Sequence, residues 1–191
     1  MAVASSSRRP VGPVKRSELE HIIRAAATIS GDDEIIVIGS QAVLGQFPDA
    51  PPELLMSNEA DVYPKSHPER WELIDGSIGE LSPFHDTFGY YAQGVEPGTA
   101  ILPEGWEQRL IAIRNENTRG AAGLCLEIHD LLISKHVAGR DKDKLFVGTA
   151  LRHGLADPEV LRSRLQATAL DERLRKVVAE RLEHELLAAR R

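Results

Sequence analysis

Cysteine is almost absent: Cys125 is the only one among 191 residues. No internal disulfide can form and no cysteine-based zinc site can be assembled, which points to a reducing, cytoplasmic setting. Lying between Leu124 and Leu126, this thiol reads as a small buried apolar group rather than a nucleophile. Positive charge is also short. The formal net charge is -6 at pH 7, whereas a broad grip on duplex DNA needs the opposite sign. A local basic pocket for a nucleotide or an RNA end is still allowed. No hydrophobic run approaches the length of a membrane span. The basic, Ser- and Pro-rich residues 1–16 lack the apolar stretch of a signal peptide and read as a disordered leader.

What is present is ordinary globular material, 42% hydrophobic and 27% charged, of a length that suits one core rather than two. Ser17, with Glu20 three residues on, has capping-box spacing, and Ile22, Ile23, Ala26 and Ile29 give the helix that follows one apolar face. Residues 34–38 are a continuous, largely β-branched run, as expected of a strand covered on both faces. Gly39-Ser40 turns the chain at once into a helical stretch at 41–46. Residues 59–63 alternate polar and apolar and predict a second strand ended by Pro64. A short helix is expected at 68–73, a strand or hairpin within the aromatic, Gly-rich stretch 82–94, two strands at 99–102 and 110–113, and a short extended piece at 124–126. Helices follow at 127–139, at 143–153, after the Asp157-Pro158 start, and at 171–189. The spacing therefore predicts an α/β core over 17–126, a small mixed sheet flanked by helices, with a helical C-terminal portion over 127–191 belonging to the same unit.

The chemistry concentrates where the glycine turn after the first strand meets Glu59 and Asp61 on the second. Alternation puts both carboxylates on one face, roughly 7 Å apart along the chain. Two acids so placed repel unless a cation sits between them, and Mg²⁺ (or Mn²⁺) takes oxygen ligands and bridges nucleotide phosphates. The Gly39-Ser40 turn offers backbone N–H groups and a hydroxyl to those phosphates. Together these are parts of phosphoryl or nucleotidyl transfer. Taken singly, a Gly-Ser turn and a Glu-x-Asp strand edge are both commonplace.

Gly39-Ser40 followed by Glu59-Ala-Asp61 resembles the signature of the polymerase-β-type nucleotidyltransferase superfamily, and within it the AbiEii group with its abortive-infection and MenT-type toxins. The stretch CLEIHDLLISKHVAGRDKDKLF, residues 125–146, is similar to that group's Asp-Leu-x-x-x-Lys motif (Asp130, Leu131, Lys135) and its later basic-Asp pair (Lys142, Asp143). The resemblance covers about residues 17–155. It implies a nucleotidyltransferase fold and a transferase that moves a nucleotidyl group from an NTP to an acceptor hydroxyl on RNA, tRNA or protein. Glu59 and Asp61 would hold the metal, Ser40 and Ser57 would sit by the nucleotide, Lys135 would contact the triphosphate, and Asp143 would support the acceptor. An antitoxin partner and a role in toxin–antitoxin or phage-defence systems come with the same likeness. The chain departs from the group at Leu55, where an Arg is usual, at Ser57 for Thr, at Glu59 for Asp, and at Phe146 for a second Asp. Leu55 and Phe146 motivate the alternative of a catalytically degenerate homologue that binds a nucleotide or a protein.

Several residues keep two readings. Lys135 either snorkels to solvent or reaches the pocket, and Asp130 is a helix-start cap or a partner for Lys135. Residues 139–144 are a solvated connector, or a loop whose Arg140 and Lys142 meet phosphate. The stretch 84–91 packs in a core or stacks a base, and His85 serves its loop or acts as a base beside the pocket. The histidines are scattered, with His129 and His136 too far apart on one helix to share a metal, so a zinc site is rejected. The stripe of Leu174, Val177, Val178, Leu182 and Leu186 packs on its own domain or docks a partner.

Overall fold

The computed structural model describes residues 14–189. The leader expected at 1–16 therefore lies mostly outside the described residues; of its last part, Val14 is fully buried and Arg16 is already helical. The first helix, α1 (Arg16–Ser30), starts one residue before Ser17. Its first turn is closed by Glu18, whose carboxylate accepts from the Lys15 backbone N–H at 2.7 Å, so the expected Ser17/Glu20 box does not form. Glu20 instead turns inward and accepts from the Asn115 and Asn117 amides, each at 2.8 Å. Leu19, Ile22, Ile23 and Ala26 form the buried face of α1.

The strands are β1 (Glu34–Val37), β2 (Glu59–Pro64), β3 (Tyr91–Gly94), β4 (Ile111–Ile113) and β5 (Ala122–Cys125). They form one mixed sheet in the order β3-β2-β1-β5-β4, with β1 antiparallel to β2 and parallel to β5, β2 parallel to β3, and β4 antiparallel to β5. The apolar run of β1 suits its central place. Gly123 of β5 lets α1 press on the sheet, since a Cβ there would lie 2.2 Å from Ile23 Cδ1.

After β1 a 3-10 turn (Ser40–Ala42) leads into the short α2 (Val43–Gln46). The helix expected at 68–73 is a 3-10 turn (Pro68–Arg70) continued by α3 (Trp71–Ile78). Within 82–94 the chain first forms α4 (Pro83–Phe88), capped by the Ser82 hydroxyl, and only then β3. No strand forms at 99–102: a 3-10 turn (Pro97–Thr99) precedes irregular chain. Pro97 and Pro103, which cannot donate to a ladder, bracket this piece. Buried Cys125, its thiol pushed up to about 12 by burial, behaves as a core residue.

The helical portion comprises α5 (Ile128–Ala138), α6 (Asp141–Arg152), α7 (Pro158–Gln166) and α8 (Glu172–Ala189). Val178, Leu182 and Leu186 of α8 are buried in the same apolar cluster as β1 and α1, so the stripe of the last helix packs on its own chain. The result is a mixed α/β fold, an open sheet flanked by helices with a helical C-terminal part, as expected of a nucleotidyltransferase. No helix of the described residues is long and apolar enough to cross a membrane.

Candidate active site

β1 ends beside the beginning of β2, and the chain after β1 is drawn against β2 by the Ile38 N–H, which donates to the Asp61 carbonyl at 3.0 Å. Along β2, Ala60 and Val62 are buried while Glu59 and Asp61 stay partly open, the alternation expected of a half-covered strand. Gly39 lies directly against the Asp61 carboxylate: a Cβ on Gly39 would sit 1.8 Å from Asp61 Oδ2. The glycine is needed here for space, because its φ of -83° is open to any residue. Gln41, fully buried, donates from Nε2 to the Ser57 carbonyl at 2.8 Å and holds that loop, while the Ser57 hydroxyl accepts from the Glu59 N–H at 3.3 Å.

The carboxylates have unequal surroundings. Glu59 Oε2 accepts from the Tyr91 hydroxyl at 2.9 Å, and Oε1 lies 3.8 Å from Lys142 Nζ. Burial, and then the charge of Glu59, push the Asp61 carboxyl above its usual range against the pull of Lys135, Lys142 and Arg140. Burial and the bond to Glu59 raise the Tyr91 phenol as well.

Lys135 reaches across from α5. Its ammonium donates to Ser40 Oγ at 2.9 Å and to Asp143 Oδ1 at 3.3 Å, and stands 4.5 Å from the centroid of the Phe146 ring. The snorkelling alternative is thereby removed, since Lys135 is only 8% exposed. Burial lowers its pKa, against the charge and hydrogen bond of Asp143. With Lys135 donating to its oxygen, Ser40 keeps its own O–H to give to a ligand.

Ser40, Ser57, Glu59, Asp61 and Lys135, with Gly39, line one cleft of about 690 Å³. Asp143 does not line it. Its side chain is wholly buried, with Arg140 donating to Oδ2 from Nε at 2.7 Å and to Oδ1 from Nη2 at 3.2 Å. Burial alone would raise its pKa, but the Arg140 bonds and the Lys135 charge hold it low. A carboxylate so enclosed meets two cations, not an acceptor, and it fixes where Lys135 and Arg140 stand.

Among the described residues no cluster of three or more His, Cys, Asp or Glu is placed to hold a metal. Two carboxylates on one strand face, one with its proton affinity raised by burial and then by the other, remain a donor set suited to a hard divalent cation. Such a cation takes one or two carboxylates and completes its shell from water and phosphate oxygens.

A family model described as "Nucleotidyltransferase of unknown function (DUF6036)" matches residues 17–186. The chain belongs to this family. No curated protein and no solved structure matches it significantly. In this member of the family, the residues that the sequence singled out around β1, β2 and α5 meet in one place.

Other assignments change. Asp130 neither caps α5 nor meets Lys135. The cap is Glu127, which accepts from the His129 N–H at 3.0 Å, and fully buried Asp130 pairs with Arg109 at 2.8 Å and Arg164 at 3.2 Å. His85 serves its loop, accepting at Nδ1 from the Leu81 N–H at 3.1 Å. Phe84, Phe88 and Tyr90 pack around His21, with ring centroids 4.7 to 6.1 Å from it, outside the cleft. Tyr91, the last residue of the stretch expected to pack in a core or stack a base, has a role the sequence did not indicate, donating its hydroxyl to Glu59. It is the parallel register partner of Glu59, but two helices intervene between β2 and β3, so no local pattern links them.

Proposed function

We propose that this protein is a metal-dependent nucleotidyltransferase, moving a nucleotidyl group from an NTP to an acceptor hydroxyl. The observation that carries the proposal is the convergence of Ser40, Glu59, Asp61 and Lys135 on a single cleft. Glu59 and Asp61 would hold Mg²⁺ or Mn²⁺, which when bound neutralises charge on the phosphates and aligns them. Lys135 offsets the charge of the triphosphate, and Ser40 donates its hydroxyl to a phosphate oxygen. Arg140 and Lys142, on the cleft wall, add positive charge where pyrophosphate gathers. The acceptor oxygen bonds to the α-phosphorus, the bond from that phosphorus to the bridging oxygen breaks, pyrophosphate leaves, and the hydroxyl proton passes to water in the cleft. The resemblance to AbiEii and MenT-type proteins extends the proposal to an RNA end, tRNA included, or a protein hydroxyl as acceptor, in a cytoplasmic setting with an antitoxin partner.

The assay is transfer of label from α-³²P-NTPs to total RNA or to protein with Mg²⁺ or Mn²⁺. Wild-type protein should label an acceptor and Asp61→Asn should not. A variant that transfers at the wild-type rate refutes the catalytic assignment. A second reading, nucleotide binding without chemistry, is favoured by Leu55, which is buried and brings no cation to the cleft. Calorimetry showing NTP binding alongside a blank transfer assay supports that second reading.

A further inference from the structure

Among the described residues, six large hydrophobic side chains are exposed, and three of them line the cleft that holds the carboxylates: Met56 at 76%, Leu145 at 64% and Ile101 at 44%. They come from separate segments, the loop before β2, the chain after the Pro97–Thr99 turn, and α6. Single exposed apolar residues are ordinary, but several gathered on one concave wall mark a ligand that brings an apolar face.

The cleft is divided chemically. Ser40, Lys135, Arg140 and Lys142 supply donors and positive charge beside Glu59 and Asp61, and the three exposed apolar groups supply an uncharged surface with Glu53 at its edge. Lys142 and Leu145 are three residues apart on α6, hence neighbours on its surface, so the two halves adjoin. A nucleoside triphosphate has the same division, a polyanionic chain at one end and a flat ring with apolar faces at the other.

We infer that Met56, Ile101 and Leu145 clamp the nucleobase of the NTP, and that the clamp accepts all four bases with little preference; the inference rests on the transferase reading above. Among the described residues that line the cleft there is no Asn, Gln, His, Tyr or Trp; Glu53, Ser57 and Thr99 stand near Met56 and Ile101 in the chain, and none of the three carries the paired donor and acceptor of an amide. The rings that could stack a base are engaged elsewhere, Phe84 and Phe88 around His21 and Phe146 against Lys135. Flexible, polarisable Met56 and branched Ile101 and Leu145 grip by contact area, which is indifferent to the pattern of ring substituents.

The test is calorimetry on the full chain with Mn²⁺, using ATP, GTP, CTP, UTP and inorganic tripolyphosphate, for wild type, Met56→Ser and Leu145→Ser. Both positions are exposed, and unchanged melting temperatures verify that the fold is kept. Wild type should bind the four NTPs with affinities within roughly tenfold of one another, the scale on which apolar pockets discriminate. Each variant should bind every NTP roughly tenfold more weakly, the worth of part of one buried apolar side chain, and tripolyphosphate as tightly as wild type. Unchanged NTP affinity in both variants, equal weakening of tripolyphosphate, or a wild-type preference for one NTP beyond about a hundredfold overturns the clamp. Wild type that binds tripolyphosphate but no NTP more tightly overturns the clamp alone and leaves the phosphate half of the site standing. Wild type that binds neither overturns the clamp together with the transferase proposal.

Discussion

Replacing Asp61 with Asn should stabilise the metal-free protein while removing its response to metal. Glu59 and Asp61 lie on one strand face about 7 Å apart, and at an effective dielectric constant near 20 their repulsion is about 2 kcal/mol. Lys135, Lys142 and Arg140 offset part of it, yet burial and Glu59 prevail, since the Asp61 pKa stands above its usual 3.8. A carboxyl with a raised folded-state pKa favours the fold when protonated and loses that contribution as pH rises through the folded value. At pH 7 Asp61 is therefore a net cost to the empty protein, of roughly 1 kcal/mol once the three cations are allowed for. Asparagine, which cannot ionise, should recover it, and for a chain of this size that raises Tm by about 2–4 °C. The assay is scanning calorimetry at pH 7 in EDTA and again in millimolar Mn²⁺, with a third series near pH 3, where the advantage of Asn should vanish. Wild type should gain stability with Mn²⁺ and the variant should not. An Asp61→Asn protein that melts at or below wild type in EDTA, or gains as much from Mn²⁺, refutes the electrostatic account of the pair.

Three further perturbations separate the roles around the cleft. Gly39→Ala forces the Asp61 carboxylate to move, because the new methyl would overlap Oδ2; Mn²⁺ binding measured by electron paramagnetic resonance should weaken by about tenfold or more, with circular dichroism unchanged. Tyr91→Phe frees the Glu59 carboxylate and should weaken Mn²⁺ binding about tenfold; the loss should be far smaller when Tyr91→Phe is made in a Glu59→Asp background, a double-mutant cycle that a purely structural role for Tyr91 would not satisfy. Asp143→Asn leaves buried Lys135 without its counter-charge, and exposed Arg140 without its partner, and should cost about 3 kcal/mol at pH 7 by urea denaturation, nearly all of it from Lys135. Because the Asp143 pKa is held low in the fold, that stabilisation is present above pH 3.8 and is lost as pH falls through the folded value, so the gap between wild type and variant should close in acid.

Local patterns carried the parts of the site that a strand and its turn define. β-branched density placed β1, alternation placed Glu59 and Asp61 on one face of β2, and Gly39 marked the turn after β1, though its close approach to the Asp61 carboxylate is a contact between strands that no local pattern shows. The resemblance supplied Lys135, which an apolar helix would otherwise have hidden. What stayed illegible depends on contacts between distant segments. Glu20 sits in perfect capping spacing from Ser17, but two asparagines nearly a hundred residues away offer its carboxylate better partners. Asp130 is likewise claimed by Arg109 and Arg164 from other elements. Residues 99–102 have the apolar character of a strand, yet the sheet already ends at β4 on one side and β3 on the other, and the segment faces the cleft instead.

The departures at Leu55 and Phe146 bear differently on activity once their surroundings are known. Leu55 is buried in the core beside the cleft, so the charge that an Arg would bring there is simply missing. Arg140, just before α6, and Lys142, in its first turn, also line the cleft and supply positive charge there. Phe146 is not a hole in the acidic set. Its ring lies under the Lys135 ammonium, and a cation held over an aromatic face gains attraction without gaining a neutralising charge. An aspartate in that place would leave Lys135 with a second counter-ion and less charge to offer a triphosphate. A local arrangement that keeps Lys135 underneutralised, and holds Asp61 against its own preference for a proton, runs against the stability of the empty protein. Such conflicts collect where a ligand is meant to resolve them, and a phosphate chain with its divalent cation resolves both at once.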